Sequence, residues 1–435
     1  MADNAPTAEP VQISAIMRDT TKGPIWMQVV AFLWFVSTFA VFPGNAYFLY
    51  PLSAIFMVTL YFERDRIMPI VVRCWWIFPM PILAILSFTW SDYPSASMRF
   101  GLFFLLSPLI LIILSAILTE RQILRALFFC ALAGTGLAIT ELGAIMSTQT
   151  SAYLGQKNFY AMKMMIGMIA GFAMAMNKNE NSILRLLGLA LIPIDLFLVL
   201  AADSATSMVL SFLALFLLIF AQIFWVSSRG VQGLRAFVAV FSVFVVSAGA
   251  LVALGALSGA LIGDGLSAVG KDTTFTGRTA LWEQAERTSA DNPILGVGVG
   301  AFWQYDVGAA QTLALNDNRE AGTALGFHNT YWETRVHLGF VGLFFLLLSF
   351  AMIIWKSTKS FLMEATLERA AFFVAVLITM SMTFTESFLF GYFQPSIYIF
   401  QLAGITAVAS AYRKKRVILN LIPESDDEEL VAAPA

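Results

Sequence analysis

Charge is scarce in this chain. Only 12% of its 435 residues are Asp, Glu, Lys or Arg, while 59% are hydrophobic and the mean hydropathy is +0.77. Soluble domains carry about 25% charged residues, so an ordinary water-soluble globule is excluded. Cysteine is nearly absent too. Cys74 and Cys130 both fall inside apolar runs, which rules out a disulfide framework and any thiolate metal spacing. They read as small buried hydrophobes. There are two histidines, His328 and His337, and no metal site or cofactor is expected. The net charge of −2 says little about partners, because the distribution of charge matters more; no nucleic-acid partner is expected. The polar start holds Pro6, Pro10 and Pro24 and lacks a short apolar stretch with a small-residue cleavage site. A cleaved signal peptide is therefore not expected.

What the chain has in quantity is long apolar runs. About 20 such residues cross the roughly 30 Å of hydrocarbon in a bilayer as a helix. Continuous runs suit helices, which pair their own backbone groups, better than alternating barrel strands. The expectation is an all-α, polytopic integral membrane protein embedded in a lipid bilayer. About twelve spans are predicted, near 25–42, 46–62, 70–89, 100–118, 124–146, 160–176, 184–202, 206–226, 236–262, 338–355, 371–390 and 394–412. That divides the chain into a tail (1–24), nine helices (25–262), one large loop (263–337), three helices (338–412) and a second tail (413–435).

Basic residues orient such a protein, because basic loops resist translocation. Arg64, Arg66 and Arg73, then Arg121 and Arg125, then Lys178 and Arg185, then Arg229 and Arg235, then Lys356, Lys359 and Arg369, and finally Arg413–Arg416 fall on one side. That side is expected to be cytoplasmic, together with both termini. With Arg18 and Lys22 of the first tail counted on that same side, the remaining basic residues are Arg99, Lys157, Lys163, Lys271, Arg278, Arg287, Arg319 and Arg335. They are expected on the outer side, against the bias. For Lys271, Arg287 and Arg319 tolerated surface charge is explanation enough.

The stretch Thr276–Gly342 is the long polar interval and holds both histidines. TGRTALWEQAERTSADNP is predicted to be an amphipathic helix with Trp282, Ala285 and Thr288 or Ser289 on one face. Gly296–Gly300 follows as a flexible turn. It lacks the strand before and helix after that a dinucleotide-binding glycine loop requires. If the segment after it is helical, His328, Trp332 and Arg335 share a face, with Glu333 flanking. His328 is then a proton-exchanging group near neutral pH, or simply an interfacial histidine at a helix start. Arg278 and Lys157 are either a phosphate clamp, since a guanidinium grips phosphate with two prongs, or snorkelling anchors beside Trp282 and Tyr160. Glu141, Asp195 and Glu386 lie in or near spans, where acids are costly. They favour a secondary-transporter reading.

TGRTALW, NPILGVGVGAFW and HNTYWETRVHLGFVGL together resemble the signature region of the O-antigen ligase and polymerase superfamily. WSDYPSASMR at 90–99 and LGQKNFYA at 154–161 are similar to further patterns of that group. The likeness is nearest to its ExoQ-like exopolysaccharide polymerase branch. The resemblance implies an inverting, metal-independent glycosyltransferase of the GT-C type in the bacterial inner membrane. Its site would face the periplasm. Donor and acceptor would be oligosaccharides on undecaprenyl pyrophosphate, and a chain-length or export co-polymerase would be a further partner. His328 would be the base, with Glu333 orienting it. Arg278 would grip pyrophosphate, with Lys157, Arg335, Lys163 and Arg99 as weaker candidates. ADSATSMV has Ala205 where family ligases carry an arginine, which favours a polymerase over a ligase joining glycan to lipid A core.

Overall fold

The computed structural model describes residues 22–42, 44–226, 237, 240–244, 278–317, 319–320, 325–364 and 366–421. Lys271, most of the span expected at 236–262, residues 1–21 of the first tail and residues 422–435 of the second lie outside them.

The first half contains α1 (Ile25–Phe39), α2 (Asn45–Phe62), α3 (Arg64–Arg73), α4 (Pro79–Leu86), α5 (Pro94–Ile117), α6 (Glu120–Thr140) and α7 (Leu142–Thr148). A two-stranded hairpin, β1 (Thr150–Ser151) and β2 (Gly155–Gln156), leads into α8 (Lys157–Met176). Then come α9 (Ser182–Ala201), α10 (Ala205–Ala221), α11 (Arg278–Asp291), α12 (Gly308–Asn316), α13 (Thr330–Met363), α14 (Leu367–Met382) and α15 (Pro395–Leu421). Local chemistry sets several starts. Thr119 and Gln122 form a reciprocal capping box on α6, and Asn181, Ser204 and Thr366 cap α9, α10 and α14. Each cap satisfies backbone donors that the first turn leaves open.

This is an integral membrane protein. Among the described residues, six helices are long and apolar enough to cross a bilayer: α5, α6, α8, α9, residues 206–224 and α13. α3 and the segment Trp75–Thr89, bent by 67°, make a seventh if taken as one broken span. α1 and Tyr47–Phe62 are apolar but shorter. Two expected spans therefore take a different form. The run at 70–89 is broken into short helices, and the run at 371–390 stops being helical at Met382. α8 is the innermost long helix, buried from Tyr160 to Ala175. α2 and α9 expose Tyr50, Phe62, Leu189 and Phe197 outward, as lipid-facing helices do.

The acids expected in spans have distinct environments. Asp195 is fully buried and accepts from Thr135 Oγ1 at 2.6 Å, joining α9 to α6. Glu141 follows α6 and caps the hairpin, bonded by Ser151 Oγ and by Ala152 N. Glu386 lies in the loop after α14.

A break in the longest of the described helices receives the segment that follows α11. α13 breaks at Gly339, whose φ of 62° and ψ of −161° are open essentially to glycine alone. The segment after α11 docks into this break. Phe340 N and Val341 N donate to Pro293 O and Ile294 O, while Val297 N and Gly298 N donate to Val336 O and His337 O. A side chain at Gly339 would collide with the Ile294 carbonyl, and one at Gly298 with Ser91. The glycine run is thus a docked strap rather than a flexible turn. α11 forms where expected and buries Leu281, Ala285 and Ser289.

Candidate active site

His328 does not sit on a helix. α13 begins at Thr330, and His328 holds a left-handed backbone with φ 47°. Such a conformation costs a non-glycine residue about 1–3 kcal/mol and persists only where its surroundings impose it. They do so by stitching this segment to the loop after α14. Thr330 N donates to Thr383 O, Asn329 Nδ2 to Phe384 O, Asn329 N to Ser387 Oγ, and Thr330 Oγ1 to Glu386 O. Asn329 also caps α13 through Tyr331 N and Trp332 N. The polar residues that interrupt the apolar run at 383–387 are therefore the seat of the histidine.

The centre of the cluster is Glu386. Its Oε2 lies 2.9 Å from His328 Nδ1, and its Oε1 takes Arg278 Nη2 at 2.8 Å and Asn158 Nδ2 at 2.5 Å. The Glu386 side chain is 5% exposed, against 21% for Arg278 and 25% for His328. A carboxylate this deep needs paired charge and saturated hydrogen bonds, which Arg278, Asn158 and His328 supply. It also fixes the imidazole tautomer. Facing a carboxylate, Nδ1 carries the hydrogen, so Nε2 is left with its lone pair. The cluster lies where α8 and α13 begin and α14 ends. The positive dipole ends of α8 and α13 therefore meet the negative end of α14 there, two against one, a balance that favours anions.

Glu333 serves a different cluster. Its Oε1 accepts from Trp303 Nε1 at 2.8 Å and lies 3.2 Å from His337 Nε2, while its Oε2 accepts from Phe327 N at 2.7 Å and Ser387 Oγ at 3.1 Å. Its hydrogen-bond partners do not include His328, which precedes the helix and turns its Nδ1 to Glu386. Both nitrogens of His337 face acceptors, Glu333 on one side and Gly298 O on the other. Its ring also stacks on Phe390. So of the two histidines, one is fully committed to holding the strap, and His328 keeps a nitrogen for chemistry.

The other cations expected here have partners or surroundings other than Glu386. Lys157 Nζ donates to Gln149 Oε1, and Lys163 Nζ, buried, donates to Leu154 O. The Arg335 guanidinium lies between the rings of Trp332 and Phe340, at 5.1 and 4.7 Å, so the shared face of residues 328, 332 and 335 reduces to the last two. Arg99 borders a separate recess. Among the described residues, none of these cations bonds to Glu386, and no group of three His, Cys, Asp or Glu could hold a metal. Sequence reasoning missed Asn158, adjacent to the lysine it favoured. It also read Glu386 as a transport acid, although its place in a polar break beside a span end was visible.

A family model described as O-antigen ligase matches residues 189–347, a stretch that contains Arg278, Glu333 and both histidines. The chain is also 28% identical over 297 residues to the exopolysaccharide production protein ExoQ of Rhizobium meliloti (strain 1021), covering 66% of each chain. Both findings support the O-antigen ligase and polymerase superfamily, on its ExoQ-like branch. The superfamily match ends before Glu386 and begins after Asn158, so two partners of this cluster come from outside the matched region.

Proposed function

We propose that this protein is a glycosyltransferase that polymerises lipid-linked exopolysaccharide repeat units at the periplasmic face of the inner membrane. The observation that carries this reading is the shared carboxylate. Glu386 holds His328 by Nδ1 and Arg278 by one guanidinium nitrogen, leaving an imidazole lone pair beside a fixed cation.

In this mechanism an acceptor sugar hydroxyl attacks the anomeric carbon of the donor glycan. The new C–O bond forms as the bond to the undecaprenyl pyrophosphate breaks, and the departing oxygen keeps the electron pair. His328 Nε2 takes the hydroxyl proton, a contribution of about 10²–10⁴-fold. Glu386 orients the ring and balances its acquired charge. Arg278 spends one of its five N–H donors on Glu386, and its others meet the developing pyrophosphate anion with the helix ends of α8 and α13. A single displacement inverts the anomeric configuration.

The family model's description favours a second reading, a ligase joining finished glycan to lipid A core. Analysis of lipid-linked oligosaccharides in a strain lacking the gene separates the two. Single repeat units should accumulate for a polymerase; long polymer still on its carrier lipid would instead identify a ligase. His328→Ala in the complementing copy should reproduce the deletion with the protein still in the membrane. Transport loses its support from two of its three acids, since Glu141 caps a hairpin and Glu386 anchors the cluster.

A further inference from the structure

We infer that the recess between α2 and the start of α5 seats the carrier lipid of the acceptor, with Arg99 meeting its phosphate. The inference rests on the glycosyl-transfer reading and extends it. That reaction brings together two lipid-linked sugars. The Glu386 cluster offers one arginine, placed where a leaving pyrophosphate must be stabilised. A second phosphate head then needs another seat.

The recess has the shape and chemistry of such a seat. It is an open surface recess of about 590 Å³. Tyr50, Phe88, Met98, Leu102 and Phe103 give it apolar walls, and Arg99 is the one ionisable group of fixed charge on its lining. Arg99 is exposed and, among the described residues, has no ion pair or hydrogen bond of its own. It lies in the second turn of α5, a spanning helix that starts at Pro94, so the cation sits near one end of the span. Leu102 and Phe103 follow one turn deeper on the same stripe. A head that is anionic and a tail that is purely hydrocarbon match this order: charge first, then apolar wall.

The recess also adjoins the loop that carries Glu386. Phe103 packs on Tyr392 and Phe393, with ring centroids 5.2 and 5.5 Å apart, and Phe100 packs on Phe390 and Tyr392 at 5.9 and 4.9 Å. Ser97, on the same turns of α5, donates to Val299 O in the docked strap. A lipid held by Arg99 would therefore present its sugar on the same side of the bundle as His328.

The test uses the full-length protein in detergent, with undecaprenyl phosphate as the probe and phosphatidylglycerol as competitor. Native mass spectrometry counts the probe molecules retained. Wild type should keep two, and both should resist excess phosphatidylglycerol. Arg99→Gln should keep one, as should Leu102→Trp, which fills the recess without touching the charge. Arg287→Gln, which removes an exposed arginine whose ion pair among the described residues is with Glu283, should keep two. Two molecules retained by Arg99→Gln, one by wild type, or a second molecule displaced equally by phosphatidylglycerol would each overturn the inference and leave the proposed reaction standing. Wild type that keeps no probe at all would overturn both.

Discussion

Replacing Glu386 by Gln changes one oxygen into an amide nitrogen at nearly constant size. In the native cluster both carboxylate oxygens accept: Oε1 from Arg278 and Asn158, Oε2 from His328 Nδ1. A glutamine has a single acceptor oxygen. If that oxygen stays with the two donors on the Arg278 side, the amide N–H₂ faces His328 Nδ1 and donates to it. The imidazole must then carry its hydrogen on Nε2, and the nitrogen assigned to deprotonate the acceptor is blocked. If the amide turns over, the N–H₂ faces the guanidinium and Arg278 loses its partner. Either way the base or the clamp is lost. Transfer should fall by the general-base contribution, about 10²–10⁴-fold. Folding should suffer less, because the volume is kept and at most a charge-assisted hydrogen bond of about 1.5–3 kcal/mol is removed. The assay pairs two readouts in a strain whose only copy carries the variant: polymer yield with lipid-linked intermediates, and protein level in the membrane. Polymer at the wild-type level would refute the orienting role of Glu386. So would lost polymer that merely follows lost protein.

Glu333→Gln should have the opposite profile. This carboxylate is met by donors from Trp303, Phe327 and Ser387 as well as by His337, and an amide turns an N–H₂ toward some of them at about 1–3 kcal/mol for each buried group left unpaired. A lowered melting midpoint in detergent is expected, with activity per folded molecule retained; unchanged melting with lost activity would return the orienting role to Glu333. Arg278→Lys keeps the charge but loses the planar fork, so polymer yield should drop at least tenfold, and full activity would remove the two-pronged grip on pyrophosphate. Gly339→Ala places a side chain in a backbone region essentially reserved for glycine and against the Ile294 carbonyl. The strap should detach, seen as new protease sensitivity between Pro293 and Gly300; a variant as resistant as wild type would mean the strap is held by other contacts.

The parts of this molecule that were legible in the sequence are those governed by local rules. Apolar run length gave the membrane class, and 3.6-residue spacing gave α11 with Ala285 buried as expected. The histidine and arginine stood out because polar residues are rare here. What escaped were groups whose meaning depends on backbone breaks. Periodicity assumes an unbroken helix, so it set His328 on a face with Arg335; the chain instead takes a left-handed residue before Thr330. That one residue sends the imidazole to Glu386 rather than Glu333. The same assumption carried the run at 371–390 past Met382 and made Glu386 an acid inside a span. Three threonine, serine and glutamate side chains in that stretch, Thr383, Glu386 and Ser387, are bonded to residues 328–333. An apolar run interrupted by side chains that bond backbone locally marks the end of a helix more often than its middle. Applied to Thr383–Ser387, that rule would have ended the span and turned Glu386 toward the histidine, without any knowledge of the fold.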